Sequence, residues 1–328
     1  MAAAITGIGT ATPSRRLTNQ ELEQLVDTSD TWIVERTGIR ERRIAAADET
    51  TSTLGIAASA AALKDAGLTP DDVELLVVAT ATPDQPIPHV GSFLGDGLGL
   101  RCGSFDLGAG CAGFVYALVV GSSMLTAGNL EHVLVVGADT LSRVTDPEDR
   151  GTCILFGDAA AAVVVSRAPR DDVGLLAWDL GCDGSAAPLL GVPAGGSRRP
   201  ASIETVNARE HYLKMAGQEV FRRAVRCVVD SANATLARGG MTAADVDWFV
   251  PHQANVRIID SACKKLGIPM DRTVVNIDRY GNTSAASVPL ALAEAVDDHR
   301  IKAGDVVLVS GFGAGMTWAS ALMRWDEA

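Results

Sequence analysis

The 328-residue sequence lacks any paired-cysteine motif. Its six cysteines form no C-x-x-C pair, and none of them is spaced with the five histidines as metal ligands are. This absence argues against a structural zinc site and against a disulfide framework, and we expect neither a metal nor another bound cofactor. Unpaired cysteines also suit a reducing compartment, so we expect a cytoplasmic protein.

A basic leader is missing as well. The first residues, MAAAITGIG, carry no positive charge before the apolar run and no cleavage pattern, so we expect a first strand rather than a signal peptide. Residues 107–130 carry no charge and are numerous enough to cross a membrane. Glycines, serines and an asparagine interrupt this stretch, which favours a buried central helix and no membrane contact.

The chain has no excess of positive charge. Its net charge is −12, which argues against nucleic acid as a partner, because nucleic-acid binders are usually basic overall. Residues 198–265 are an exception, with 11 Lys and Arg against 7 Asp and Glu. This locally basic face suits an acidic partner or phosphate groups, and the alternative interpretation is an ordinary solvated helix face.

The sequence repeats itself. LTPDDVELLVV at residues 68–78 matches the pattern of MTAADVDWFVP at residues 241–251, 173 residues later. VLVVG at 133–137 corresponds to VLVSG at 307–311, at an offset of 174, and both have the β-branched composition of a buried strand. The repeat predicts two related halves in which helices and strands alternate.

The predicted halves meet at a polar segment that contains a proline. We divide the chain there into an N-terminal half, residues 1–168, and a C-terminal half, residues 169–328. Residues 183–199 are rich in glycine, proline, serine and alanine without clear periodicity, and they predict a surface excursion over the opening of a site.

Cys111 is the candidate nucleophile. It lies in DLGAGCAGF at residues 106–114, where a strand pattern breaks at glycines and an apolar helix pattern begins. A helix N-terminus favours negative charge, so we expect the thiol to shift toward the thiolate; the alternative is a packed core thiol. His252 and Asn282 stand at the ends of two further strand patterns, and the 173-residue offset places Cys111 opposite Ser284.

Six motifs, taken in order, resemble the thiolase superfamily, and closely the β-ketoacyl-[acyl-carrier-protein] synthase III family that starts fatty-acid synthesis. The resemblance implies an α/β, thiolase-like fold of two pseudo-symmetric halves in a five-layered αβαβα arrangement, and a homodimer. The motifs are SDTWIVERTGI at 29–39, GCAGF at 110–114, DRGTCILFGD at 149–158, PHQAN at 251–255, GNTSAAS at 281–287 and GFGAG at 311–315.

The resemblance implies decarboxylative Claisen condensation of an acyl-CoA primer with malonyl-acyl carrier protein. It implies that Cys111 is acylated, and that His252 and Asn282 act on the malonyl thioester by donating hydrogen bonds to the enolate oxygen. The backbone N–H groups of Cys111 and Ala314 are the implied oxyanion hole.

The resemblance also implies binding residues. For CoA they are Trp32, Arg36, Thr37, Arg150 and Asn255. For the acyl pocket they are Leu141, Phe156, Phe221 and, contributed by the partner subunit, Ile87. Many members specialised for acetyl have phenylalanine where Ile87 stands, so longer or branched primers are expected. The candidates for binding acyl carrier protein are Arg222, Arg257, Lys264 and Lys265.

Three other functions compete. Gly108, Gly110 and Gly113 satisfy G-x-G-x-x-G before a helix, with Glu131 eighteen residues on, which is typical of an NAD-dependent oxidoreductase; two earlier strand patterns precede the motif and disfavour this. Thiolase needs a second cysteine near the C-terminal glycine turn, and residues 311–320 contain none. Transfer of a cysteine-bound acyl group to an alcohol or amine in secondary metabolism is the third competing function.

Overall fold

The structure is a computed structural model that describes residues 2–168 and 170–326. Within this part of the chain the strands are β1 (Ala3–Ala11), β2 (Arg16–Thr18), β3 (Glu41–Arg43), β4 (Leu75–Ala79), β5 (Gly103–Leu107), β6 (His132–Thr140), β7 (Asp158–Arg167), β8 (Gly174–Cys182), β9 (Leu190–Gly191), β10 (Lys214–Met215), β11 (Trp248–Pro251), β12 (Val306–Gly313) and β13 (Thr317–Arg324). The α-helices are α1 (Asn19–Leu22), α2 (Asp30–Thr37), α3 (Thr51–Asp65), α4 (Val90–Leu98), α5 (Gly113–Ala127), α6 (Arg150–Cys153), α7 (Ile203–Asn207), α8 (Gly217–Arg238), α9 (Val256–Leu266), α10 (Ile277–Tyr280) and α11 (Ser287–Asp297).

Two mixed sheets form the centre of the protein. The first has the order β1-β7-β6-β4-β5, and the second has the order β11-β12-β13-β8. In the first sheet β4 runs parallel to β5 and β6, whereas β7 is antiparallel to β6 and β1. Strands β4, β7 and β12 are buried almost throughout, as their runs of valine, alanine and leucine require.

Helices cover both sheets and fill the space between them. Helices α3 and α4 pack on the outer face of the first sheet, α5 and α11 lie between the sheets, and α8 and α9 pack on the outer face of the second. The order of layers is therefore helix, sheet, helix, sheet, helix. This confirms the five-layered αβαβα arrangement that the resemblance implied.

The uncharged stretch forms the central helix. The segment Gly110–Ala127 is long and apolar enough to cross a membrane by length and composition, and 61% of it is buried inside the protein. Phe114 and Leu125 of this segment are fully buried in the core between the sheets. Packing against two sheets therefore explains its composition.

The sequence repeat is a structural repeat. The 3₁₀ turns Pro70–Asp72 and Ala243–Asp245 precede β4 and β11. Each is capped by a threonine whose backbone N–H and hydroxyl both donate to the aspartate three residues on, at 2.7 to 2.8 Å. Strands β4 and β11 then pair in parallel with β6 and β12. The boundary between residues 168 and 169 adjoins Pro169, which lies outside the described residues, and that division stays a prediction.

Around Cys111, the offset between equivalent residues of the two halves is 174 in the structure, one more than the 173 that the sequence repeat predicted. Helices α5 and α11 begin 174 residues apart. Cys111 therefore corresponds to Ala285, and Ser284 corresponds to Gly110. The offset of 173 holds for β4 and β11, and the change arises because the whole segment from the start of β11 to the start of α11 is one residue longer than that from β4 to α5.

Candidate active site

Cys111 lies in the 3₁₀ turn Gly110–Ala112, directly before α5. The end of β12 approaches this turn so closely that a Cβ on Gly313 would lie 2.3 Å from the Cys111 backbone N. A Cβ on Gly110 would similarly lie 2.8 Å from the backbone N of Ala314. The two backbone N–H groups of the predicted oxyanion hole therefore come from turns that pack against each other.

The pKa of the Cys111 thiol is shifted upward, whereas we expected a downward shift toward the thiolate. Burial raises the pKa of this thiol to about 12; a hydrogen bond from Ser284 opposes the rise, and the carboxylate of Asp139 adds to it. Desolvation of the anion is the largest of these effects. The candidate nucleophile is therefore a neutral thiol at rest, and its proton would have to leave during a nucleophilic attack.

His252 follows β11 and is 2% exposed. Its Nδ1 lies 2.5 Å from the hydroxyl of Ser287, and its ring makes an edge contact with Phe312 at a centroid distance of 5.3 Å. Its Nε2 is buried without a hydrogen-bond partner among the described residues. Burial lowers the pKa of His252 to about 3, so the ring is neutral and Nε2 is available to a ligand.

Asn282 is fixed by backbone pairing between the two halves. Its N–H donates to the carbonyl of Leu155 at 2.8 Å, and its carbonyl accepts from the N–H of Gly157 at 2.9 Å. Its side-chain Oδ1 accepts from the backbone N–H of Ser284 at 2.9 Å. With Oδ1 engaged, the amide NH₂ is the group left to bind a ligand.

The three candidate side chains described above line one apolar cavity. Cys111, His252 and Asn282 line it together with Ala314. The predicted acyl-pocket residues Leu141, Phe156 and Phe221 line it as well. Its wall includes Leu190 of the predicted excursion, Met215 of the paired strand β10, and Leu213, which directly precedes β10. Ile87, which was also predicted for the acyl pocket, is 84% exposed and is not among the residues that line this cavity.

Within residues 2–168 and 170–326, no group of three or more His, Cys, Asp and Glu side chains is placed to hold a metal ion. The polar groups of the cavity, a thiol, a neutral imidazole and an amide, suit nucleophilic attack and hydrogen bonding to a developing oxyanion.

Comparison with known proteins agrees with this chemistry. The profile described as 3-oxoacyl-[acyl-carrier-protein (ACP)] synthase III matches residues 105–184, and the profile of the C-terminal region of that family matches residues 236–325. A β-ketoacyl-[acyl-carrier-protein] synthase III from Natranaerobius thermophilus is 46% identical over 326 residues, which cover 98% of this chain and 99% of the relative.

The chain belongs to the β-ketoacyl-[acyl-carrier-protein] synthase III family. The synthase III structure from Thermus thermophilus superposes with a TM-score of 0.93 at 44% identity, covering 99% of this chain and 100% of that one. The priming β-ketosynthase from the R1128 polyketide biosynthetic pathway superposes with a TM-score of 0.91 at 37% identity, covering 99% of this chain and 97% of that one. The protein is a condensing enzyme of the acyltransferase type, and these relatives favour neither an NAD-dependent oxidoreductase nor acyl transfer to an alcohol or amine.

Of the residues that the family resemblance implies for CoA, Asn255 lines the cavity, and it contacts Arg36, which lies outside the lining. The Arg150 guanidinium lies 5.0 Å from the centroid of the Trp32 ring, and that of Arg36 lies 5.5 Å from it. A flat base that enters between Trp32 and Arg150 therefore has to displace the guanidinium. The Asn255 amide donates to the carbonyl of Arg36 at 3.0 Å. The hydroxyl of Thr37 is buried and donates to the carbonyl of Ile33, so it is already engaged in ending α2.

The four basic residues predicted for the carrier protein are not equivalent in this synthase III. Lys264 contacts Asp260 at 2.6 Å, and Arg222 pairs with Glu219 on its own helix. Arg257 and Lys265 are exposed on α9, and neither forms an ion pair with any residue that the structure describes. These two cations are therefore the more available of the four.

Sequence reasoning missed three residues that hold the site together. Ser287 contacts His252, Asp139 lies beneath the Cys111 turn, and the fully buried Arg42 donates to the carbonyls of Leu17 and Ile154 and to the side chain of Asn19. Ser287 was visible as the last letter of the GNTSAAS motif. Arg42 and Asp139 offered only a weaker signal: Arg42 is one of four consecutive charged residues, and Asp139 is a single charge near the end of a strand pattern.

Proposed function

We propose that this synthase III transfers an acyl group from CoA to Cys111 and condenses it with malonyl-acyl carrier protein, giving 3-oxoacyl-acyl carrier protein, CoA and carbon dioxide. This reaction starts fatty-acid or related polyketide synthesis. The observation that carries the proposal is the convergence of a neutral thiol, a neutral histidine with an unpaired Nε2 and an asparagine amide on one apolar cavity.

In the first step, the sulfur of Cys111 attacks the thioester carbonyl of acyl-CoA. The new carbon–sulfur bond forms, the bond to CoA breaks, and the thiol proton leaves with the CoA sulfur. The N–H groups of Cys111 and Ala314 stabilise the tetrahedral oxyanion, and the N-terminus of α5 favours the charge that develops on sulfur. The acyl chain then occupies the space between Leu141, Phe156 and Phe221.

In the second step, the malonyl carboxylate leaves as carbon dioxide and an enolate remains. The enolate oxygen accepts hydrogen bonds from the amide of Asn282 and from Nε2–H of His252, whose Nδ1 then accepts the hydroxyl hydrogen of Ser287. A neutral imidazole is a weak acid, so it donates without quenching the carbanion. The carbanion attacks the Cys111 thioester, and the released thiolate takes up one proton. No resident cofactor is needed for these steps.

We further propose a homodimer in which Ile87 of one subunit closes the acyl pocket of the other. Strand β5 is an edge of the first sheet, and the loop before α4 leaves Ile87 84% exposed beside it, so both features suit association of two copies. We also propose a cytoplasmic location, because all six cysteines are unpaired.

The decisive experiment incubates the protein with a panel of acyl-CoAs and reads the mass added to Cys111. We expect one acyl group per chain on Cys111, and we expect Cys111→Ala to lose both acylation and condensation. Condensation at the wild-type rate by Cys111→Ala would overturn the proposal. The same panel identifies the preferred primer.

A further inference from the structure

A carboxylate that the mechanism above does not use lies beneath the nucleophile. Asp139 is the next-to-last residue of β6 and is fully buried. It accepts hydrogen bonds from the hydroxyls of Thr80 and Thr82 at 3.1 and 2.9 Å, and from the N–H groups of Ala81 and Ala285 at 2.7 and 3.1 Å. No cation pairs with it in the described part of the chain. It therefore joins the loop after β4 to the turn before α11 by hydrogen bonds alone.

Ser284 stands between this carboxylate and the nucleophile. Ser284 is 1% exposed and lines the same cavity as Cys111, and its hydroxyl lowers the pKa of both the Cys111 thiol and the Asp139 carboxyl. Its backbone N–H donates to Oδ1 of Asn282. The hydroxyl of Ser284 thus lies between the nucleophile and an anchoring carboxylate, and its backbone N–H binds the residue proposed to bind the enolate.

The backbone of Ser284 adds an independent observation. Its φ is +52°, in the left-handed region that L-residues other than glycine rarely adopt. The equivalent residue of the other half is Gly110, whose φ is also +52°. The two turns therefore have the same backbone, and only the one facing the thiol carries a side chain there. Strained residues of this kind persist at functional sites, where the side chain is needed.

We propose that Ser284 is a further catalytic residue, whose hydroxyl hydrogen-bonds the sulfur of Cys111 during acyl transfer, and that Asp139 is its positioning residue. The proposal rests on Cys111 being the acylated nucleophile. As the thiol proton leaves with the CoA sulfur, the Ser284 O–H turns toward the sulfur on which charge develops. When the thioester has formed and the sulfur is neutral, the O–H returns to Asp139. Ser284 neither gains nor loses a proton overall.

Two substitutions separate the hydroxyl from the backbone. Ser284→Ala removes the hydroxyl and keeps the strain, whereas Ser284→Gly removes the hydroxyl and relieves the strain. We expect both to slow single-turnover acylation by about 10- to 100-fold, the worth of one hydrogen bond to a charged group. KM for acyl-CoA stays near the wild-type value, and Ser284→Gly is at least as stable as wild type in thermal unfolding.

A second measurement does not depend on the proposed reaction. Alkylation of Cys111 by iodoacetamide reports the reactivity of the sulfur alone, and it should slow by a similar factor in both variants, and by a smaller factor in Asp139→Asn. Ser122→Ala is the matched control, because Ser122 is a buried serine on α5 without a hydrogen-bond partner among the described residues. It should react like wild type.

The outcomes discriminate between roles. Alkylation and acylation rates of Ser284→Gly within about twofold of wild type would overturn the proposal. Slow rates in Ser284→Ala that return to wild type in Ser284→Gly would also overturn it, because the effect would then come from the backbone and not from the hydroxyl. If acyl groups were found elsewhere than on Cys111, the proposed function would fail, whereas the alkylation comparison would still report on Ser284.

Discussion

The turns before α5 and α11 occupy equivalent places in the two halves and carry different chemistry. The first presents Cys111 after a left-handed glycine, and the second presents Asn282 and a left-handed Ser284. The backbone is repeated, but the functional groups are divided between the halves. Because the two turns face one cavity, the doubled fold yields a single site, with the proposed nucleophile on one side and the proposed hydrogen-bond donors on the other.

The largest effect is expected when the proposed hydrogen-bond donors of the second half are removed, which tests whether the two halves serve different steps. His252→Ala or Asn282→Ala should slow carbon dioxide release from malonyl-acyl carrier protein by about 100- to 1,000-fold, the cost of losing one oxyanion donor. Acylation of Cys111 should slow by less than about tenfold, because the donors face the enolate. Intact-mass kinetics and trapping of labelled carbon dioxide measure the two steps separately. Equal losses in both steps would mean that the halves do not divide the reaction.

Two left-handed glycines, Gly110 in the turn before α5 and Gly67 outside it, should respond differently to an added methyl group. Gly110→Ala should lower the free energy of unfolding by about 2–3 kcal/mol, because it combines backbone strain with a Cβ 2.8 Å from the backbone N of Ala314. Gly67→Ala is the control: its φ is +66°, with nothing within 4 Å of the new Cβ, so it should cost about 1 kcal/mol. Equal costs in urea unfolding would show that the close approach is unimportant.

The second half should also make stability depend on pH. Burial lowers the pKa of His252 from its ordinary value near 6.5 to about 3. Between these two pH values His252 binds a proton in the unfolded chain but not in the folded chain. Stability is therefore fully present above pH 6.5 and is lost as the pH falls toward 3. Between pH 6.5 and 5, wild type should lose about 2 kcal/mol more than His252→Asn. Unfolding titrations of the two proteins across this pH range measure the difference.

The elements that follow β4 and β11 differ in charge. After β11, α9 exposes Arg257, and we expect Arg257→Glu to raise KM for malonyl-acyl carrier protein by about 3- to 10-fold through lost attraction to an acidic carrier. Lys264→Glu should have a smaller effect, because Asp260 already neutralises Lys264. Wild-type condensation should fall as salt rises, and Arg257→Glu should respond less. A salt response identical to that of wild type would mean that the basic residues of α9 form only a solvated helix face and do not attract the carrier.

After β4, the equivalent loop exposes Ile87 instead. Ile87→Phe should narrow the primer range toward acetyl by a few-fold in kcat/KM, because a ring fills more of the pocket floor than a β-branched aliphatic side chain. The acyl-CoA panel measures this preference, and Arg257→Glu, on the other half, should leave it unchanged. An unaltered preference in Ile87→Phe would mean that other residues form the floor.

Much of the fold could be predicted because it is encoded locally and twice. The threonine-capped turns and the valine-rich strands recur at nearly constant spacing, and each occurrence supports the other. The antiparallel pairing of β1 with β7 was not predictable in the same way. It joins residues at opposite ends of the first half, and a strand pattern does not name its partner.

The site shows the same limit more clearly. Its motifs pointed to Cys111, His252 and Asn282, which line one cavity, although their roles stay predictions. The expected thiolate was wrong in direction, because the pKa of a thiol depends on how much water surrounds it, and this is set by residues from both halves. Asp139 was missed for the same reason: only the folded chain shows what it lies beneath.

Arg42 has a consequence for the newly made chain. Arg42 is synthesised early, yet one of its hydrogen-bond acceptors, the carbonyl of Ile154, lies 112 residues further along the chain. The next residue, Leu155, pairs through its backbone with Asn282, which is made later still. A growing chain on the ribosome therefore contains Cys111 long before it can hold the groups that act on malonyl. On the proposed mechanism, condensing activity can appear only after the segment that contains His252 and Asn282 has been made, so shorter chains cannot draw on the supply of malonyl groups.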